Sequence, residues 1–198
     1  MTIQVGPLKK ITALAAEPLV EVAQLSDAAR ALVVPKMTVR GLLAALIDAG
    51  LLNDALRLFA YALPKREAVW WACQCARQAE PEPSVPADAE IIQASEAWVY
   101  RPTDQARRAA MDLAMKTGFD RAAHWPAAAA FWSGGSIAPP TAPPVEPGDS
   151  LTGNAVAGAV LLALVQPDPA AADKKRQRFL VQALDIAEGG DGRKVATA

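Results

Sequence analysis

This chain is poor in the residues that carry most reactive chemistry. Its 198 residues include one histidine, His124, and two cysteines, Cys73 and Cys75. A structural zinc site draws four ligands from such side chains. No spacing supplies a carboxylate to complete a set here, so no metal ligands are assigned. Cys73 and Cys75 are separated by one residue, not the two of a thioredoxin-like or zinc-type pair. On a helix, residues two apart project about 200° from one another, so these sulfurs cannot meet in an internal disulfide. No cofactor signature is present either. Ser133-Gly134-Gly135-Ser136 is glycine-rich, but no Gly-Lys-Ser/Thr follows to hold a phosphate.

An excess of one charge is missing as well. Twenty Lys and Arg against 21 Asp and Glu leave a net charge of -1. Nucleic-acid binding draws on a basic face that displaces counterions, and no nucleic-acid partner is expected. The single basic cluster, Lys174-Lys175-Arg176-Gln177-Arg178, reads as the solvated face of a helix. Long apolar runs are also lacking. The most apolar stretch, Leu151 to Val165, is fifteen residues with Thr152, Gly153, Asn154 and Gly158 inside it. A membrane-spanning helix needs about 20 apolar residues, so a buried helix and no membrane insertion are expected. At the start, Glu17, Pro18 and Glu21 interrupt the apolar segment before a secretory core can form, which makes the cytoplasm the expected location.

What the chain has is helical periodicity. Val39, Leu42, Leu43, Leu46 and Ile47 recur at the spacing of one helix face. Thr38 is placed to cap that helix and Gly50 to end it. Leu52, Leu56, Phe59 and Leu63 continue the pattern to Pro64. A third helix follows at once, carrying Trp70-Trp71-Ala72-Cys73-Gln74-Cys75. Connections this short require antiparallel neighbours. Pro81 to Ala87 is a break with three prolines. Helices are then expected over Ala87–Tyr100, from Thr103 (as cap) to about Lys116, and over Asp120–Phe131 with a kink or new start at Pro126. The last two are Leu151–Gln166 and, after an Asp168-Pro169 start, Ala170–Glu188. In that final helix Phe179, Leu180, Ala183, Leu184 and Ala187 form the inward stripe, with Lys174, Lys175, Arg176 and Arg178 facing mainly water.

No segment alternates as a half-buried strand does, and Thr2–Gly6 offers one edge strand at most. The expectation is an all-α fold, a single multi-helix domain of about eight helices over residues 1–188, with 189–198 as a disordered tail. Residues 133–150 hold five prolines and three glycines. They read either as a mobile linker or as an extended segment wrapped over the helices. Ile137, Val145 and the prolines as apolar anchors favour the second.

The helix from Ala68 to Ala76 has Gln74 as its only strongly polar residue. Such a helix is buried on most sides, so the tryptophans and cysteines read as core, with each indole N–H needing an acceptor. Two enzymatic constellations stay open: Cys73 or Cys75 with His124, and Glu67 with Arg66 and Arg108. Glu17 and Glu21, four apart, read as a solvated face. Pro140–Pro143 and Pro144–Pro147 fit the P-x-x-P spacing of polyproline ligands, without a flanking basic residue. A candidate partner-binding surface comprises His124, Trp125, Trp132, Ile137, Pro140 and Pro143.

The blocks LPKREAVWWACQCAR (63–77), SEAWVYRPTDQARRAAMDLA (95–114), AAFWSGGSIAPP (129–140) and LTGNAVAGAVLLALV (151–165) resemble a bacterial family with a domain of unknown function. The resemblance spans most of residues 38–188. It implies a link to type VI secretion gene neighbourhoods, near spike proteins and their cargo adaptors, and it transfers no catalytic residue. The leading expectation is therefore a non-catalytic helical interaction protein with a protein partner: an adaptor, chaperone or accessory factor of such a locus. The alternatives are a small enzyme, or a small-molecule-binding domain with a tryptophan-lined pocket.

Overall fold

The computed structural model describes residues 3–79 and 85–193. Ten α-helices lie in these residues. They are α1 (Glu17–Val22), α2 (Asp27–Arg30), α3 (Val39–Asp48), α4 (Leu52–Ala62) and α5 (Lys65–Ala79). After these come α6 (Pro86–Tyr100), α7 (Asp104–Met115), α8 (Trp125–Phe131), α9 (Leu151–Val165) and α10 (Ala172–Glu188). The described residues contain no strand, and the fold is all-α. Residues 3–8 have no regular structure, so the edge strand that Thr2–Gly6 offered at most is not formed among the described residues; an isolated β-like pairing joins Ala15 to Thr38.

Local chemistry sets the helix ends. Thr38 Oγ1 accepts the Gly41 N–H at 3.0 Å and Thr103 Oγ1 accepts that of Ala106 at 3.1 Å, each satisfying a donor left over in a first turn. Gly50 follows α3 with φ +72°, a conformation that costs glycine little. Asp168 accepts the Ala170 N–H at 2.9 Å, but it starts a 3₁₀ turn, Pro169–Ala171, that leads into α10. The proline-rich break largely falls on residues 80–84, outside the described residues, and Pro86 occupies the first turn of α6.

Two expected boundaries are corrected. Residues 120–124 form turns, and α8 begins only at Trp125 with Pro126 in its first turn, where the missing N–H costs nothing. At the other end, residues 189–193 do not fray. The Gly190 N–H donates to the Asp185 carbonyl at 2.7 Å, and the Asp191 carbonyl accepts from both Trp70 Nε1 and Gln74 Nε2 at 2.8 Å. Residues 194–198 lie outside the described residues.

Helices α5 and α9 run through the centre. α9 packs on α4, α5, α8 and α10, while α5 packs on α6, α8, α9 and α10. Small residues make this possible: Ala155, Val156, Ala159, Val160 and Ala163 are buried along α9. Trp71 has no exposed surface; its indole donates to the Phe179 carbonyl at 3.1 Å, and its ring meets Phe59 edge-on at 6.3 Å. A second small cluster, Ile91, Ala110, Ala114 and Ala127, binds α6, α7 and α8 together. Among the described residues no single helix is long and apolar enough to cross a membrane.

Candidate functional site

Of the six residues expected to form a partner surface, His124 is 1% exposed and sits inside the fold. Its Nε2 shares a hydrogen bond with Asp88 Oδ1 at 2.9 Å, and Asp88 is also paired with Arg121. The Nδ1 atom has no hydrogen-bond partner and lies 3.8 Å from a carboxylate oxygen of Asp120. Burying the Asp88 charge requires such neighbours, and the group fastens α6 to the turns before α8. Trp125 is half-buried, its N–H on the Phe119 carbonyl at 3.0 Å and its ring 5.4 Å from that of Phe119. Trp132 and Ile137 are half-buried as well. Only Pro140 and Pro143 are exposed.

Those two prolines belong to a loop whose anchoring is polar rather than apolar. The guanidinium of Arg107 is buried; it stacks 5.1 Å from the Phe131 ring and donates to the carbonyls of Phe131 (2.9 Å) and Ser136 (2.7 Å). Arg108 donates to the same Ser136 carbonyl at 2.7 Å. Asp104 orients both arginines, and the hydrogen bond from Arg108, helped by Arg107, holds its carboxyl below the usual range. Above this latch Ser136 Oγ accepts the N–H groups of Ala138 and Val145, and the Ile137 N–H donates to the Val145 carbonyl at 2.8 Å. The expectation of apolar anchors is corrected accordingly: residues 139–146 stand exposed, with Val145 50% accessible.

A different site emerges where α5, the end of α6 and the C-terminal turn meet. Arg66, Trp70, Gln74 and Arg77 follow one another on one side of α5; Arg66 and Arg77 are exposed, Trp70 is half-buried, and Gln74 is buried beneath the C-terminal turn. Trp70 is half-buried and Tyr100 is 65% exposed; their rings meet at 5.7 Å and 63° to form an aromatic shelf. The shelf floors a groove of about 390 Å³ and is shared with an adjoining hollow of about 410 Å³. The Asp191 carbonyl fixes the Trp70 indole, and the Arg193 guanidinium sits 5.8 Å from its ring centroid. Three ion pairs frame the rim: Lys10–Glu67 at 3.2 Å, the two-pronged Arg77–Glu96 at 2.6 and 2.7 Å, and Arg193–Asp191 at 3.6 Å. Arg66 is the exception. Its Nε donates to the Val99 carbonyl at 2.6 Å, and it forms no ion pair among the described residues, although Glu67 and Asp191 line the same groove.

Sequence reading groups Trp70 with Trp71 as core and so does not reveal this groove. The signal was present: Arg66 and Gln74 lie four residues on either side of Trp70, and Arg77 lies seven beyond it. A polar stripe with one tryptophan in it is the mark of a half-wet face.

The enzymatic constellations are not assembled. Both cysteines are fully buried, and desolvation pushes each thiol well above its ordinary value, which opposes formation of the reactive thiolate. The contacts of His124 are with Asp88, Asp120 and Phe119, not with either sulfur. Glu67 is engaged with Lys10, Arg66 with Val99, and Arg108 with Asp104 and Ser136, three separate networks. No group of three or more His, Cys, Asp or Glu among the described residues is arranged to hold a metal.

No curated protein and no solved structure matches the chain. Residues 42–187 match a family of unknown function (DUF6931), from within α3 to the last turn of α10. That span holds both central helices, the arginine latch and all of the α5 and α6 side of the groove, and on this match the chain belongs to that family.

Proposed function

We propose that the chain is a non-catalytic helical interaction protein, an adaptor, chaperone or accessory factor of a bacterial type VI secretion locus. The observation that carries the reading is the Trp70–Tyr100 shelf, an aromatic pair left partly exposed on a helical body and rimmed by Arg66 and three ion pairs, one of them made by Arg193. Tryptophan, tyrosine and arginine are the residues that most often supply binding energy at protein interfaces. Here they lie together at the edge of a groove whose tail wall is fixed by hydrogen bonds to Asp191. The link to secretion rests on the resemblance of the four sequence blocks.

The test is affinity capture with the full chain from a bacterium that carries the locus. A Tyr100→Ala chain serves as control, because Tyr100 is exposed and its loss leaves the core intact. The reading predicts a secretion component retained by the parent chain and lost by the variant.

The same groove favours a second reading, a small-molecule site with a tryptophan wall. About 390 Å³ falls within the usual range for ligand pockets. Titration of metabolites against tryptophan fluorescence separates the two: a saturable change abolished by Tyr100→Ala favours the small molecule.

A further inference from the structure

The groove has one cation outside any ion pair among the described residues, Arg66, and the loop over residues 133–150 has a carboxylate outside any, Glu146. Glu146 is exposed and forms no ion pair among the described residues. It ends the segment Pro143-Pro144-Val145-Glu146, which is outside any helix or strand, exposed and apolar apart from that charge. The segment is also held ready. Prolines fix two of its φ angles, and Val145 is tied at both backbone groups, to Ile137 and to Ser136. Ser136 in turn is gripped by Arg107 and Arg108. A ligand fixed in this way loses little freedom on docking. Exposed prolyl segments dock on aromatic-lined grooves, and the Trp70–Tyr100 shelf with Arg66 beside it is such a groove. None of residues 143–146 lines that groove within the same molecule.

From this complementarity we infer that the groove takes the Pro143–Glu146 segment of a second copy of the chain, the prolines on Trp70 and Tyr100 and the Glu146 carboxylate on Arg66. The inference rests on the groove being a docking site, as proposed above. Self-association then covers the groove, and a secretion partner competes for it.

Sedimentation velocity of the full chain over a wide concentration range tests this. Self-association is expected, and Tyr100→Ala and Glu146→Arg, both at exposed positions, should each weaken it about tenfold. Arg66→Glu should weaken it too, and the Arg66→Glu/Glu146→Arg double exchange should restore it. A synthetic peptide of residues 137–149 should dissociate the assembly and shift tryptophan emission. A chain that stays monomeric throughout overturns the inference, and so does self-association indifferent to Tyr100→Ala. A peptide that binds to a chain that stays monomeric overturns the second copy as occupant but leaves the groove a docking site. If neither the peptide nor any secretion component is retained, the docking reading falls as well.

Discussion

Trp70 and Trp71 are adjacent in sequence and opposite in role. Trp71 is sealed, with its N–H on the Phe179 carbonyl, while Trp70 is half-wet and held by the C-terminal turn. Trp71→Ala should cost about 3–5 kcal/mol, the usual range for emptying a buried aromatic site, and Trp70→Ala clearly less; urea unfolding of both variants measures the difference. The cysteines were legible from sequence as core because nothing polar surrounds them but Gln74. Burial raises both thiols above their ordinary value of 9.0. With a folded value above the unfolded one, their contribution is complete at lower pH and is lost as pH rises past 9.0, where the unfolded chain releases protons that the folded chain keeps. A Cys73→Ala/Cys75→Ala chain should therefore show a flatter decline of urea midpoint above that pH. In the native parent, a thiol reagent such as Ellman's should find neither sulfur until the chain unfolds.

Helix by helix, the caps and periods predicted most of what forms, and the departures have local causes. Pro126 tolerates only a first turn, which moves the start of α8 to Trp125. The loop over residues 133–150 was read as wrapped and anchored by apolar contact. Its true anchor is Arg107, whose single charge on a helix face cannot be told in sequence from a solvated arginine. Arg107→Ala leaves the Phe131 carbonyl without this donor and removes one of two from Ser136. It should destabilise by about 1–3 kcal/mol and open the loop to thermolysin at Ile137 and Val145. In α9 two glycines make a sharper comparison. A Cβ at Gly153 would lie 2.5 Å from the Tyr61 ring, whereas one at Gly158 would lie 3.5 Å from Trp125, an ordinary contact. Gly153→Ala should destabilise by about 1–3 kcal/mol through overpacking. Gly158→Ala should be neutral or stabilise by up to about 1 kcal/mol through helix propensity, both read by thermal unfolding.

Across the whole molecule, the all-α architecture was legible because apolar stripes, caps and short connections agree from Thr38 to Glu188. The proposed docking face was not. It combines Lys10, the Arg66–Arg77 side of α5, Tyr100 and residues 189–193, which are distant in sequence and meet only after folding. The C-terminal turn in particular read as a tail, since backbone carbonyls such as that of Asp191 carry no sequence signal. On the function proposed above, this face docks protein rather than performing chemistry. Affinity capture from a type VI-bearing bacterium, comparing the parent chain with Tyr100→Ala and identifying the retained proteins by mass spectrometry, tests it most directly. The expected result is a component of the secretion locus retained by the parent and lost with the variant. Equal retention by both chains, or none by either, would contradict it.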